Sequence, residues 1–278
     1  MAGHRSVFPT LRSQPLAAVG LLLVVLFGAC ALFAPWLAPS NPAAINLLHR
    51  LAPPSHAHWL GTDELGRDVL SRLLYGSRAT LFVVAAITLT VPAVGLAAGC
   101  LAGLAGGIVD AVLMRAADVF LAFPRLILAL ALVAAMGPGL WHASLAIALA
   151  AWPPYARLAR AETLSIRDRD FVAAARLAGA SPARILGVHV APLCLPSLLV
   201  RASLDMAGVI LTAAGLGFLG LGAAPPTAEW GEMIAAGRRF MLDQWWVAAA
   251  PGVAIAVATL GFNLLGEGLR DRLDPRQR

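Results

Sequence analysis

The chain has 278 residues, 59% of them hydrophobic and 13% charged, with a mean hydropathy of +0.78. That composition lies outside the range of soluble domains and predicts an integral membrane protein. The net charge of +6 comes from arginine alone; without lysine, a Walker A loop lacks its phosphate-binding residue and no lysine Schiff base forms, which excludes P-loop ATP hydrolysis by this chain.

A helix crossing ~30 Å of hydrocarbon needs about 20 mostly apolar residues, because lipid offers no partner to an open backbone N–H or C=O. Six stretches qualify, at about 16–38, 79–105, 118–136, 140–158, 196–222 and 245–267. The alternating segments of ~10 residues that a barrel needs are missing, so the expected fold class is all-α with six transmembrane helices. In the first stretch, Leu26 to Cys30 loosely resembles a lipoprotein cleavage site, but the apolar run continues through Leu37 and predicts an uncleaved span. Between the first two spans, Gly61 to Leu74 places residues 65, 69, 70, 73 and 74 on one face and predicts an interfacial helix. His56 and His58 form an HxH pair there, which without a third ligand is a poor metal site.

Along the second span Gly95, Gly99, Gly103 and Gly107 recur every four residues and predict a stripe for close helix packing, within the chain rather than between subunits. Pro92, Pro124, Pro153, Pro154 and Pro251 should bend or end their helices. Arg201 and Asp205, near the start of the fifth span, and Glu267 and Arg270, at the inner end of the sixth, are spaced to pair; Asp205 is also a candidate for lining a translocation path. No row of carboxylates or histidines crosses the membrane, which argues against a proton-driven pump. Cys30, Cys100 and Cys194 have no metal-ligand spacing and are expected as small core residues.

The arginines orient the chain. With the N-terminus inside, Arg5, Arg12, Arg115, Arg125, Arg157, Arg160, Arg167, Arg169, Arg176, Arg184, Arg270, Arg272, Arg276 and Arg278 face the cytoplasm, against Arg50, Arg67, Arg72, Arg78, Arg238 and Arg239 outside. This interleaving with spans also accounts for the basic charge without nucleic acid. Both termini and a polar island at 158–195 are then cytoplasmic.

Within that island, Asp168 to Ala178 are tolerable helix formers, with Phe171, Ala174, Ala175 and Ala178 on a face opposite Arg169 and Arg176. Gly179 suits a left-handed C-terminal cap, and Ser181-Pro182 restart a helix as N-cap and first-turn residue. A helix, a sharp turn and a returning helix with a small-residue face suit a groove on another protein. The alternative is an amphipathic loop lying on anionic lipid headgroups.

The spacing Ala173-Ala174-Ala175, three residues, Gly179, nine residues, His189-Val190-Ala191-Pro192 resembles the EAA loop of ABC importer permeases, E-A-A-x3-G-x9-I-x-L-P. With HWLGTDELGRDVLSRLLYGSR at 58–78, DVFLAFPRLILALALV at 118–133, FLGLGAAPPTAEWGEMIAAGR at 218–238 and FNLLGEGLRDRLDP at 262–275, residues 16 to 275 resemble the C-type permease of the dipeptide, oligopeptide and nickel importers. The resemblance implies a type I ABC importer permease fold in three parts. These are the tail, first span and outer loop at 1–78, a five-helix permease core at 79–269 carrying the coupling loop 158–195, and a cytoplasmic tail at 270–278. It implies that Ala173, Ala174, Ala175, Gly179, Ala180, Ser181 and Pro192 belong to a coupling helix and turn that dock on a cytoplasmic ATPase. The chain then has no catalytic residue, metal or cofactor of its own, ATP and Mg being bound by two partner ATP-binding subunits. The other implied partners are a paralogous permease subunit, an extracytoplasmic solute-binding protein and the bilayer of a bacterial inner membrane, with no nucleic acid. The implied cargo is a di- or oligopeptide, with nickel or another small solute as the alternative. The family's Glu falls on Ala173 and its I-x-L on His189-Val190-Ala191; Asp170, three residues before Ala173, is the carboxylate available to replace the Glu, and His189 is expected as a packing residue.

Other classes are weaker. An intramembrane serine protease needs a nucleophile elbow and a facing base, but no GxSxG occurs, Ser144 and Ser203 have no evident partner, and His142 lies at a span's outer end. Asp118 and Asp205 lack the context of an aspartyl pair. A channel or energy-independent carrier would need no grip for an ATPase.

Overall fold

The computed structural model describes residues 15–273, with side chains to residue 271. Arg5, Arg12, Arg276, Arg278 and the Arg272 side chain lie outside the described residues. Every regular element within them is helical, apart from one isolated bridge between Thr62 and Asp68.

The first helix, α1 (Pro15–Leu37), coincides with the first expected span and packs on the last helix, α10 (Trp246–Leu273). Their contact uses small residues on both sides: a Cβ on Gly20 would lie 2.5 Å from the Leu265 nitrogen, and one on Gly261 2.8 Å from the Leu23 Cβ. Phe27 joins this pair to the next layer, its ring 5.6 Å from Trp230 and 5.9 Å from Phe262.

The segment 61–74 is not a separate interfacial helix. Helix α2 runs unbroken from Val69 to Ala105, capped by the Asp68 carboxylate, which accepts from the Ser71 amide at 2.8 Å. The face expected to seek the interface is only half-buried at Leu70, Leu73 and Leu74, while Thr62, Asp63, Arg67, Asp68, Ser71 and Arg72 are buried. The polar face turns inward because its charges pair with one another, which removes the penalty that otherwise holds charge at a surface.

The glycine stripe packs within the chain. Helix α5 (Leu140–Ile166) lies against it: Gly95 receives Tyr155, Gly99 receives the Ala156 carbonyl and Ala159, and Gly103 approaches Thr163 so closely that a Cβ would stand 2.7 Å from the Thr163 Cβ. Gly107 does not belong to the stripe. Gly106 and Gly107 have φ of +63° and +53° and turn the chain out of α2 into α3 (Gly107–Leu121), and nothing lies within 4 Å of a Gly107 Cβ.

The third expected span is two helices. α3 and α4 (Arg125–Met136) meet at a 93° bend across Ala122-Phe123-Pro124, where Pro124 starts the second helix. Among the described residues four helices are individually long and apolar enough to cross a membrane, and the bent pair makes a fifth if counted once. Helix α5 forms over 27 residues but is not among them; its inner part carries Arg157, Arg160 and Glu162. Pro92, Pro153, Pro154 and Pro251 lie inside continuous helices rather than ending them.

The fifth span starts earlier than expected. After α6 (Asp170–Leu177), the short α7 (Pro182–Arg184), a π-helical turn Ile185–Val190 and α8 (Ala191–Phe218) continue as one 37-residue rod. Arg201 and Asp205 therefore lie part-way along it rather than near its start, and their side chains are 3.6 Å apart. No ion pair joins Glu267 to Arg270, both exposed on α10. Cys100 and Cys194 are buried core residues as expected and, although 94 residues apart, their sulfurs are 3.9 Å from each other; Cys30 is half-buried. A short helix α9 (Trp230–Gly237) returns between α8 and α10.

Candidate functional site

The island at 168–184 folds as its turn chemistry dictates. Asp170 in the first turn and Arg176 in the last complement the dipole of α6. Ala178 caps the helix, and Gly179 follows with φ +80°. The Gly179 amide donates to the Arg176 carbonyl at 3.0 Å and the Ala180 amide to the Ala175 carbonyl at 3.0 Å, the paired bonds of a Schellman turn. The Ser181 hydroxyl accepts from the Arg184 amide at 3.3 Å, with Pro182 at N1.

One residue anchors the knuckle. Val172 is fully buried in a core shared with Ile166, Ile185 and Val190, so α6 rests on the π-helical turn. Arg167 ties the base down by donating to the Gly103 carbonyl at 3.0 Å. Phe171, Ala173, Ala174, Ala178 and Leu177 are exposed, Leu177 at 90%, whereas Ala175 and Ala180 are half-buried. The expected small-residue face is thus presented outward at Phe171, Ala174 and Ala178, widened by Leu177 and turned away from Ala175. Asp170 and Ala173 are both exposed on it, Ser181 is exposed in the turn, Pro192 is exposed on the returning helix, and His189 is half-buried.

A second constellation, which the sequence does not announce, holds the opposite end. Arg72, 2% exposed, donates to Glu232 on α9 at 2.9 Å and stands 3.5 Å from Asp63. Arg67 donates to Asp63 at 2.7 Å, and the Trp230 indole donates to the Leu73 carbonyl at 2.9 Å above Gly76. Glu229 caps α9 by accepting from the Gly231 and Glu232 amides at 2.8 and 2.9 Å, in space left by Gly217 and Gly222; burial pushes its carboxyl up while those two bonds oppose the shift. His58 lies 3.0 Å from Asp68, so this histidine of the HxH pair is occupied by a helix cap, and no metal-holding group of three ligands occurs among the described residues. Five charges from Asp63 to Arg72 in so apolar a chain were the available signal for this lock. Arg72→Leu is expected to cost ~3 kcal/mol, the low end for breaking a buried pair, because it leaves the half-buried Glu232 without its cation and Asp63 with Arg67 alone; this is read as a lower thermal midpoint of the purified protein, and a midpoint equal to the parent's would refute the lock.

Asp205 belongs to a third group, on three helices. Besides its pairing with Arg201, the Arg201 guanidinium lies 5.5 Å from the centre of the Tyr155 ring, and Asp205, Arg201 and Arg125 are all within electrostatic range of the Tyr155 hydroxyl. The Nε atoms of Arg125 and Arg201 are buried without a hydrogen-bond partner. An unsatisfied buried donor costs ~1–3 kcal/mol, more when charged.

The residues of the protease alternatives are used otherwise. Ser144 and Ser203 donate to the Leu140 and Val200 carbonyls of their own helices, His142 bonds the Gly137 carbonyl, and Asp118 pairs with Arg157.

Residues 95–278 match the family of binding-protein-dependent transport system inner membrane components, and residues 5–54 match the N-terminal TM domain of oligopeptide transport permease C. The probable D,D-dipeptide transport system permease protein DdpC of Escherichia coli (strain K12) is 47% identical over 96% of this chain and 89% of its own length. The di/tripeptide permease DppC of Pseudomonas aeruginosa (strain UCBPP-PA14) is 45% identical, covering 92% and 87%, and the nickel permease NikC of Escherichia coli (strain K12) is 45% identical, covering 92% and 93%. Among solved structures, a chain of the inward-facing MetNI methionine ABC transporter superposes with a TM-score of 0.56 at 20% identity, over 73% of this chain and 96% of that one.

Proposed function

The chain belongs to the family of binding-protein-dependent transport system inner membrane components, as a C-type ABC importer permease, and from that premise we propose that it forms, with a paralogous permease, the path by which di- or oligopeptides enter a bacterial cell. A soluble binding protein delivers the peptide outside. Two cytoplasmic ATPase subunits, which bind ATP and Mg, supply the work. The proposed topology has six spans with both termini inside, α5 and the bent α3–α4 pair each counting as one.

The observation that carries this reading is the knuckle: a rigid Schellman turn on a buried Val172 anchor, with an exposed apolar face at Phe171, Ala174 and Leu177. A membrane helix connection has no need of such a face unless something covers it. Closure of the ATPases on ATP would move the two knuckles of the permease pair together, and swinging the pathway from 1:99 to 99:1 takes ~5.5 kcal/mol of differential binding. Asp170 serves in place of the family's glutamate, on the same exposed side as Ala173. Peptide cargo is supported by the dipeptide permeases among the relatives, which match over nearly the whole chain.

The test is uptake of a labelled dipeptide and of nickel by cells carrying the chain and its neighbouring transport genes, with and without the ATPase genes. Dipeptide uptake that vanishes without the ATPases is expected. Uptake of nickel alone would replace the cargo, and uptake that persists without the ATPases would end the importer reading.

A further inference from the structure

The buried Nε atoms of Arg125 and Arg201 have no hydrogen-bond partner, the Asp205 carboxylate standing 3.6 Å from the Arg201 Nε, just beyond hydrogen-bond range, so the group has donor capacity left for a further acceptor. The two arginines come from α4 and α8: the Arg201 guanidinium lies 5.5 Å from the centre of the Tyr155 ring of α5 and 3.6 Å from the Asp205 carboxylate, and Arg125 is near enough to act on Tyr155 electrostatically. Buried polar groups are otherwise hydrogen-bonded, and a charge kept inside a membrane bundle is kept for a ligand or a path. The group is also open: the Arg201 and Asp205 side chains are 41% and 26% exposed.

An apolar groove of about 310 Å³ lies nearby, between α2 and α5. Ile87 and Val91 of α2 face Trp141, Leu145 and Trp152 of α5 across the groove. Ile87 and Val91 continue at intervals of four to Gly95, on which Tyr155 packs, and Trp152 precedes Tyr155 by three residues, so the groove ends about one helical turn short of the charged group.

We propose that Arg201 and Arg125 bind the carboxylate of a zwitterionic cargo in transit, Asp205 its ammonium group, and the groove an apolar side chain. This rests on the peptide reading above. A guanidinium fork matches a carboxylate with two parallel N–H bonds, and an amino-terminal ammonium needs an anion nearby once water is left behind. The two charges lie one helical turn apart on α8, with Arg125 reaching in from the start of α4, so one small ligand can meet both signs. A covering surface from the second permease would satisfy the same donors, but without regard to the cargo's charge.

Uptake of labelled glycyl-leucine by the assembled transporter distinguishes these cases. Arg201→Gln is expected to lower it at least tenfold while co-purification with the ATPase subunits stays at the parent level, and the double variant Arg201→Gln/Asp205→Asn is expected to stay as low. Parent-level uptake by either overturns the site: in the single variant because the guanidinium is dispensable, in the double because a neutral pair then suffices and the charges served only each other. Should Arg201→Gln fail to reach the membrane, Arg201→Lys carries the test, since it keeps the charge and loses the fork. A KM for uptake raised at least fivefold supports the site, and an unchanged KM overturns it. A parent transporter that takes up no glycyl-leucine overturns the peptide reading, and the site with it.

Discussion

A chain carrying Gly99→Leu is expected to disappear from the membrane fraction. The space above Gly99 is filled by the Ala156 carbonyl, and a Cβ would stand 2.7 Å from the Ala159 Cβ and 2.8 Å from the Arg160 nitrogen. Backbone atoms cannot turn aside as a flexible side chain does, so the cost should exceed the ~1–3 kcal/mol of ordinary overpacking. Because α2 and α5 share the most extensive helix contact in the fold, separating them opens the core that holds Tyr155, Ala156 and Ala159. Gly28→Leu supplies the control, since nothing lies within 4 Å of a Cβ at Gly28, and it should accumulate like the parent. Membrane levels and the elution profile in detergent are the readouts. A Gly99→Leu chain that accumulates and elutes normally would remove the stripe's role in packing.

Gly179→Val is expected to leave the chain in the membrane and to cut uptake at least tenfold while ATP hydrolysis by the complex continues. Space is open around Gly179, so the effect acts only through its φ of +80°, which a β-branched residue adopts at a cost of ~1–2 kcal/mol. That is too little to unfold a bundle of this size. It is enough to shift the turn that sets the angle between α6 and α7, on which the proposed docking face depends. Gly179→Asn, which tolerates the left-handed region, should retain most uptake. Uptake by Gly179→Val at the parent level would mean that the turn does not transmit force.

The elements read most accurately from sequence are those fixed by local chemistry. Gly179, Ser181 and Pro182 each have a single good backbone role, and the structure assigns them those roles. The same holds for α1, whose uninterrupted apolar run has no competing use, and for Gly95, Gly99 and Gly103, whose spacing alone specifies a close contact. Where periodicity was the only guide, tertiary pairing prevailed. The amphipathic pattern of 61–74 pointed its leucines at a membrane surface, but Arg72 found Glu232, 160 residues away, and the polar face became the buried one. Likewise nothing local marks Val172 as the buried anchor of α6; it is covered because the returning π-helical turn approaches from its side. Gly107 fits the four-residue repeat but falls just beyond the end of α2, where positive φ rather than packing determines its use. The bend at Pro124 was signalled by proline. Its 93° angle depends on what α4 packs against, and no local signal contains that.

The knuckle's position bears most directly on the central claim. In a chain with Cys30, Cys100 and Cys194 replaced by Ala, Leu177→Cys offers a thiol at a site that is 90% exposed. Treating inside-out membranes with a short bismaleimide should join it to an ATPase subunit bearing a cysteine in its docking groove, and nucleotide should change the yield. Labelling of the same thiol from outside intact cells by a membrane-impermeant maleimide, with no cross-link to the ATPase, would contradict the account.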